Sequence, residues 1–347
     1  MAVRQIVVTI AFLGAFVFGA ACSNGSLPAS KPSSLGSLTQ LSHSAATSKH
    51  YVYWTFFAAT PAPQLQFAAL PLKKTSKVTS IKGTSSNELD YTDGLAFDSK
   101  GQLWVLTYPD GQGCPATAAV FKTPLTQTSK PVLSFLLDKS CGVNALTFDS
   151  SGNLWVSADQ GNAILQYKGP FTKSGTLEPA VDSGIYKPIG IAVTSNATLF
   201  VALTEGTEKF SIEFEPPPYN RSGSGDGLLT GLPSPGGIAF DRHGNLYAST
   251  NPLGTKHGAL AVYDSDDLFN GAKPSAMDSK GQAVGSYEAS FGFDASGNLY
   301  DADCGAKPGI YVYPTATKKL GPRLAPSVIF TDKAIQSAGC AWGVAIQ

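Results

Sequence analysis

The stretch Gly237-Ile238-Ala239-Phe240-Asp241-Arg242-His243-Gly244-Asn245-Leu246-Tyr247 decides how the rest of the chain is read. Ile238, Ala239 and Phe240 form the short continuous apolar run expected of a strand buried on both faces. Asp241 can fold its carboxylate back onto N–H groups of the turn, and Gly244 can take the left-handed conformation that a three- or four-residue hairpin with a bulge requires. Leu246 and Tyr247 begin the returning strand.

Copies of this hairpin run through the chain. They are Gly94-Leu-Ala-Phe-Asp98-Ser-Lys-Gly101-Gln-Leu-Trp104, Ala145-Leu-Thr-Phe-Asp149-Ser-Ser-Gly152-Asn-Leu-Trp155 and Ser290-Phe-Gly-Phe-Asp294-Ala-Ser-Gly297-Asn-Leu-Tyr300. A degraded copy, Gly190-Ile-Ala-Val-Thr194-Ser-Asn-Ala197-Thr-Leu-Phe200, lacks both the Asp and the Gly. Gly343-Val-Ala-Ile-Gln347 opens one more. The copies begin at 94, 145, 190, 237, 290 and 343, so the steps are 51, 45, 47, 53 and 53 residues. Strand-only repeats with a period of about 40 to 50 residues signal a β-propeller of four-stranded blades, and six copies predict six blades in one all-β domain.

Lys and Arg total 25 against 25 Asp and Glu, and charged residues are only 14% of the 347-residue chain. No basic surface is indicated, which argues against nucleic acid as a partner. No long stretch has helical periodicity. Residues 1–21 carry Arg4 and an apolar run from Ile6 to Ala21 that ends in small residues, the pattern of an export signal. Gly19-Ala20-Ala21-Cys22 resembles the lipobox of bacterial lipoproteins, with Gly19 where that pattern has Leu, and this implies a lipid on Cys22. Cleavage after Ala21 without lipidation stays open, as does an uncleaved anchor, although the run is short for a spanning helix. Residues 22–50 are rich in Ser, Gly, Pro and Thr and read as a disordered tether ahead of a propeller over 51–347.

The two ends of the propeller complement each other. Gly343 to Gln347 is an innermost strand without a blade, while Tyr51 to Phe56, Gln64 to Leu70 and Val78 to Ile81 are three strands without an innermost one. Pairing the C-terminal strand with the N-terminal three closes the ring and removes its open edges. In the same scheme Cys114 and Cys304 follow second strands, and Cys141 and Cys340 lie just before the next hairpin, all on one face. Disulfides Cys114–Cys141 and Cys304–Cys340 are therefore expected, leaving Cys22 for lipidation. No C-x-x-C spacing supports the rival reading of a metal site.

Val156-Ser-Ala-Asp159-Gln-Gly161-Asn162-Ala-Ile164-Leu-Gln-Tyr167 resembles the NHL signature. Over residues 51–347 the repeats are similar to six-bladed NHL propellers and to the related streptogramin lyase and gluconolactonase-like families. Lyases of that kind imply a His and Glu pair near the central opening, for which His257 is the one histidine on the expected face; His243 sits in a hairpin turn, and His43 and His50 belong to the tether region. Gluconolactonase-like members imply Ca²⁺ or Mg²⁺ held by oxygen ligands, and the matching positions are Asp93, Asn144, Asp159, Glu205, Asn251, Glu288 and Asp303. Asp98, Asp149, Asp241 and Asp294 are instead turn-formers. Trp104, Trp155, Tyr247 and Tyr300 share one strand position and are expected between blades. Tyr108 and Trp342 are the aromatics nearest the mouth.

Together these features point to an exported, lipid-anchored monomer, otherwise periplasmic or secreted, that binds or scaffolds a protein, glycan or small ligand at the cell envelope, touching the membrane through its anchor alone. A metal-assisted hydrolase or lyase is the alternative. Fold alone does not choose between them, and the balance leans away from an enzyme.

Overall fold

Every repeated hairpin opens an antiparallel sheet, and the sheets stand around an axis as the blades of a six-bladed β-propeller. The structure, a computed structural model, describes residues 50–56, 63–83, 89, 91–108, 114–203, 211–217, 219, 227–229, 232, 235–250, 259–269, 273, 276–277, 291–303, 308–314, 326–338 and 341–347. The expected export signal over 1–21 and nearly all of the expected tether lie outside them.

Blade one joins Val344–Ile346 to Tyr51–Thr55, Pro63–Ala69 and Val78–Lys82. Blade two holds Thr92–Phe97, Leu103–Thr107, Thr117–Phe121 and Leu133–Leu137, and blade three Val143–Phe148, Leu154–Ala158, Ala163–Tyr167 and Val181–Ser183. Blade four runs Pro188–Val193, Leu199–Leu203, Ser211–Glu215 and Gly227–Leu229; blade five Pro235–Phe240, Leu246–Thr250, Ala259–Tyr263 and Ala276–Met277. Blade six is Phe291–Phe293, Leu299–Asp303, Gly309–Tyr313 and Val328–Phe330. The innermost strands follow one another around the axis, and Val344–Ile346 lies against both Phe291–Phe293 and Thr92–Phe97, which closes the ring.

Closure is made as the two ends of the chain predict. Val52, Tyr53 and Trp54 pair with Ile346, Ala345 and Val344. The Thr55 N–H donates to the Gly343 carbonyl at 3.1 Å, and the Gln347 N–H to Tyr51 at 3.0 Å. The Tyr53 hydroxyl donates to Gln347 Oε1 at 3.1 Å, and Gln347 Nε2 donates to Thr123 Oγ1 at 2.6 Å, tying the last residue to two blades.

The described core divides into six apolar clusters, one at each blade junction. The aromatic of the second strand decides the pattern. Trp104 packs toward blade three, Trp155 toward blade four, Phe200 toward blade five, Tyr247 toward blade six and Tyr300 toward blade one. Because side chains alternate along a strand, the residues before and after each aromatic face the preceding blade, so one strand serves two junctions. Trp104 stacks on Phe135 at 5.3 Å and meets Phe148 and Phe171 edge-on at 5.2 and 5.0 Å. Each such pair adds about 0.5 to 1.5 kcal/mol beyond its buried area.

Two elements depart from the reading of the sequence. The sheet of blade two has five strands rather than four, because Gly175–Leu177 leaves blade three and pairs in parallel with Leu133–Leu137. Phe171 drives this detour, since its ring is buried against Trp104 and Phe135 of blade two. A six-residue helix, Lys333–Ala338, precedes the last strand. Asp332 caps it by accepting the Ile335 N–H at 2.8 Å, and Ile335 is buried.

Candidate functional site

The two ends of the ring are chemically different. At one end are the hairpin turns, whose carboxylates are all consumed locally. Asp149 Oδ1 accepts the N–H groups of Ser151 and Asn153 at 3.0 and 2.9 Å, and Oδ2 accepts Asn153 Nδ2 and Trp155 Nε1 at 2.9 and 3.0 Å. Asp98 repeats this with Lys100, Gln102 and Trp104, and Asp294 with Ser296, Asn298 and the Tyr300 hydroxyl. Asp241 accepts from His243 and Asn245. Burial, and then the nearby Asp294 charge, push the Tyr300 phenol well up; burial and then Asp241 push Tyr247 up to about 12. Both phenols therefore stay protonated. These four Asp are turn-formers, and at Asp98, Asp149 and Asp294 the second-strand aromatic supplies a donor that the sequence reading did not assign to it.

At the other end, the mouth, the approach to each inner strand is irregular. Pairing slips between Thr92 and Leu95, Val143 and Ala145, Pro188 and Ile191, and Pro235 and Ile238, a bulge at one repeated position. Bulges re-aim side chains, and they put Asp93 and Asn144 at the mouth of blades two and three. In blades four and five the same position is Ile189 and Gly236, so among these four blades it carries a carboxylate or amide only in blades two and three. Two residues before that position, Tyr91, Gly142 and Lys187 all take left-handed backbone, at φ 44, 60 and 45.

Tyr108 and Asp159 hold matching positions after the second strands of blades two and three, and Tyr108 is tied to the bulge residue of its own blade. The Tyr108 hydroxyl points between Asp93 Oδ2, at 3.2 Å, and the Val143 carbonyl. In blade three the two positions hold Asn144 and Asp159, and Asn144 Nδ2 donates to the Pro188 carbonyl of blade four at 3.5 Å. Asp93 is 3% exposed and Tyr108 5%, so this pair is sealed into the wall. Asp159 is half-buried. Burial raises its carboxyl above the ordinary range, partly offset by the Gln160 N–H, the positive charge of Lys187 and the Asn144 amide.

Gly142 decides where that carboxylate can lie. A Cβ there would stand 2.2 Å from Asp159 Oδ1 and 2.4 Å from Gln160 Cγ, and its carbonyl accepts the Asp159 N–H at 2.9 Å. Just before it, Cys141 is bonded to Cys114 with Cα atoms 4.5 Å apart. The expected disulfide thus joins the two loops that frame this sector.

The structure brings together Asp93 with Tyr108 and Asn144 with Asp159. Trp342 is half-buried, and its N–H serves ring closure by donating to Thr55 at 3.0 Å. Asp303 ends a strand of blade six. Cys22, Cys304, Cys340, Glu205, Asn251, His257 and Glu288 lie outside the described residues. Among the described residues, no three of His, Cys, Asp or Glu gather as a metal site would require. Asp93 is sealed off with Tyr108, and Glu205, Asn251 and Glu288 lie outside the described residues, so the described candidates alone supply fewer converging oxygens than Ca²⁺ or Mg²⁺ needs. The sequence reading missed Lys187, since nothing local marks the Gly184–Lys187 loop.

No family model matches the chain, and no curated protein does. Solved structures share its fold. A candidate 6-phosphogluconolactonase from Bacteroides fragilis is 12% identical, with 88% of this chain and 99% of that one covered at a TM-score of 0.54. A protein from Lactobacillus plantarum is 10% identical over 86% and 100% of the two chains, at 0.52. Streptogramin B lyase is 14% identical over 68% of each chain, at 0.40. At such identities the likeness establishes a β-propeller and assigns no chemistry.

Proposed function

We propose that this propeller is an exported binding module, anchored at the cell envelope through a lipid on Cys22 and held off the membrane by residues 22–50, with its mouth face as the recognition surface. The observation that carries the reading is the Cys114–Cys141 bond. Disulfides persist in oxidising compartments, and this one braces mouth loops rather than the core. The repeated hairpins make a rigid ring, and the sector that departs from the repeat, Asp93 to Lys187, is where selective contacts belong.

Palmitate labelling and envelope fractionation of the full chain test the anchoring. Label and membrane association should be present in the native chain and absent from Cys22→Ser. A chain retained in the cytoplasm with Cys114 and Cys141 reduced would sink the proposal. The metal-assisted hydrolase or lyase reading would need Glu205, Asn251 and Glu288 to complete a Ca²⁺ or Mg²⁺ site. A rise in melting temperature with either ion, reversed by chelator, would support it.

A further inference from the structure

The hairpin end of the ring carries a charge that its turns do not explain. Residues 63–83 and 114–137, the third and fourth strands of blades one and two with their connections, hold Lys73, Lys74, Lys77, Lys82, Lys122 and Lys130 and no Asp or Glu. Because antiparallel strands alternate in direction, each connection between a third and a fourth strand returns to the end where the hairpin turns lie. Lys73, Lys74, Lys77, Lys122 and Lys130 occupy those connections, Lys100 occupies the hairpin turn of blade two, and all six are exposed. The even balance of charge over the whole chain conceals them, since the acidic residues that offset them stand elsewhere.

Hydrogen bonds join these loops into one surface. The Thr123 hydroxyl, next to Lys122, donates to the carbonyl of Gly101, next to Lys100, at 2.8 Å. Gln347 Nε2 donates to Thr123 Oγ1 at 2.6 Å, the Gln347 carbonyl meets His50 Nδ1 at 2.9 Å, and the Leu70 N–H donates to the His50 carbonyl at 2.9 Å. That run stops just before Lys73. There the Ser76 N–H donates to the Lys73 carbonyl at 2.9 Å and the Lys73 N–H donates to Ser76 Oγ at 2.8 Å, closing a turn with Lys74 inside it. The same pair of bonds between Thr126 and Ser129 closes the turn before Lys130.

Two further observations select the partner. His50, where the tether over 22–50 meets the ring, lies within the hydrogen-bonded run, so an anchor on Cys22 pulls on the ring at this face. Val132, close to Lys130, is 51% exposed. An aliphatic side chain bared among lysines suits the boundary between headgroups and acyl chains, whereas nucleic acid would call for aromatic rings on which bases stack.

We infer that this hairpin face, through Lys73, Lys74, Lys77, Lys100, Lys122 and Lys130, docks on anionic phospholipid headgroups and turns the mouth away from the bilayer. The sequence leads one to expect membrane contact through the anchor alone; the lysines add a second contact, and one acyl chain with a basic cluster holds far better than the chain by itself. The inference takes its setting from the anchored reading, in which a coil of the tether's length reaches about 30 Å and leaves the ring free to turn this face inward.

The test places the full chain on vesicles of phosphatidylcholine, or of phosphatidylcholine mixed with anionic phosphatidylglycerol, and maps lysine acylation by peptide mass. The six lysines should be protected on the anionic vesicles relative to the neutral ones, while Lys139 and Lys187, at the mouth, react alike on both. In a Cys22→Ser chain, which no lipid holds, adding Lys73→Gln, Lys74→Gln and Lys77→Gln should cut the preference for anionic vesicles about a hundredfold at an unchanged melting temperature. Equal acylation on both vesicles, protection of Lys139 and Lys187 instead, or capture by double-stranded DNA without a preference for anionic vesicles would overturn the inference. Palmitate labelling reads the anchor separately. A labelled chain with no preferred face sinks this inference alone, and an unlabelled chain that keeps the preferred face sinks the anchor alone.

Discussion

The two ends of the ring are made from the same strands and follow opposite rules. On the hairpin face one device recurs, an Asp that gathers its own turn and, at Asp98, Asp149 and Asp294, the aromatic six residues on. On the mouth face the loops of blades two and three fill the same two positions differently, Tyr108 donating to Asp93 within blade two but Asn144 reaching across to the Pro188 carbonyl of blade four. Repetition marks what every blade needs in order to fold. Departure from it marks what the ring offers to other molecules.

Within the hairpin face, blade four sharpens the point. Thr194 replaces the Asp and accepts the Thr198 N–H with Oγ1 at 2.9 Å, so one interaction survives. Ala197 occupies the glycine position and still takes φ 65, against 73 to 84 for Gly101, Gly152, Gly244 and Gly297. Phe200 has no donor where Thr194 has no carboxylate, so the loss is matched on both sides. Tyr219 compensates, donating to the Ala197 carbonyl and meeting Trp155 edge-on at 4.6 Å.

The largest effect should come from breaking both faces together. Deleting Gly343–Gln347 removes the inner strand of blade one, and we expect a loss exceeding about 5 kcal/mol, comparable with the whole stability of many domains. Near-ultraviolet circular dichroism should show the native signal gone; a cooperative transition near the native temperature would refute the closure. Next, Asp149→Ala strips the turn and strands the buried Trp155 Nε1, for about 2 to 4 kcal/mol, whereas Thr194→Ala should cost about 1 kcal/mol. Urea titrations of the two variants check the ratio, and equal costs would erase the distinction between intact and degraded hairpins.

Ala197→Gly works in the other direction. Relief of the left-handed strain outweighs the added freedom of the unfolded chain, so the melting curve should show a gain of about 0.5 to 1 kcal/mol. The smallest effect belongs to the mouth. The folded carboxyl of Asp159 sits above its ordinary value of 3.8, so native stability is penalised as pH rises from there through the raised value. Asp159→Asn should match the native chain in stability below that window and exceed it above. Solvent at this half-buried site holds the gain well under the roughly 1.4 kcal/mol that a full unit would carry. A constant offset at every pH would show that burial of the charge is not the cause.

The hairpins were legible because their chemistry is local: Asp149, Gly152 and Trp155 lie within seven residues, and hydrogen bonding among them needs no distant partner. The disulfide was legible at one remove, since the repeat placed Cys114 and Cys141 on one face. Gly175–Leu177 was not, because a three-residue strand has no period and its partner belongs to another blade. The helix at Lys333–Ala338 is too short for a helical pattern to show. Lys187 carried no signal at all, as its importance comes from residues far away in the chain.

By itself the sequence determined how many blades there are, where their turns fall and how the ring closes, because each depends on contacts between near neighbours or on matching two incomplete ends. Only the tertiary structure decided which polar groups share the mouth, which of them are sealed into its wall and which reach solvent. Those outcomes depend on bulges, left-handed residues and packing between blades, and the free energies involved belong to arrangements of distant residues rather than to any stretch of chain.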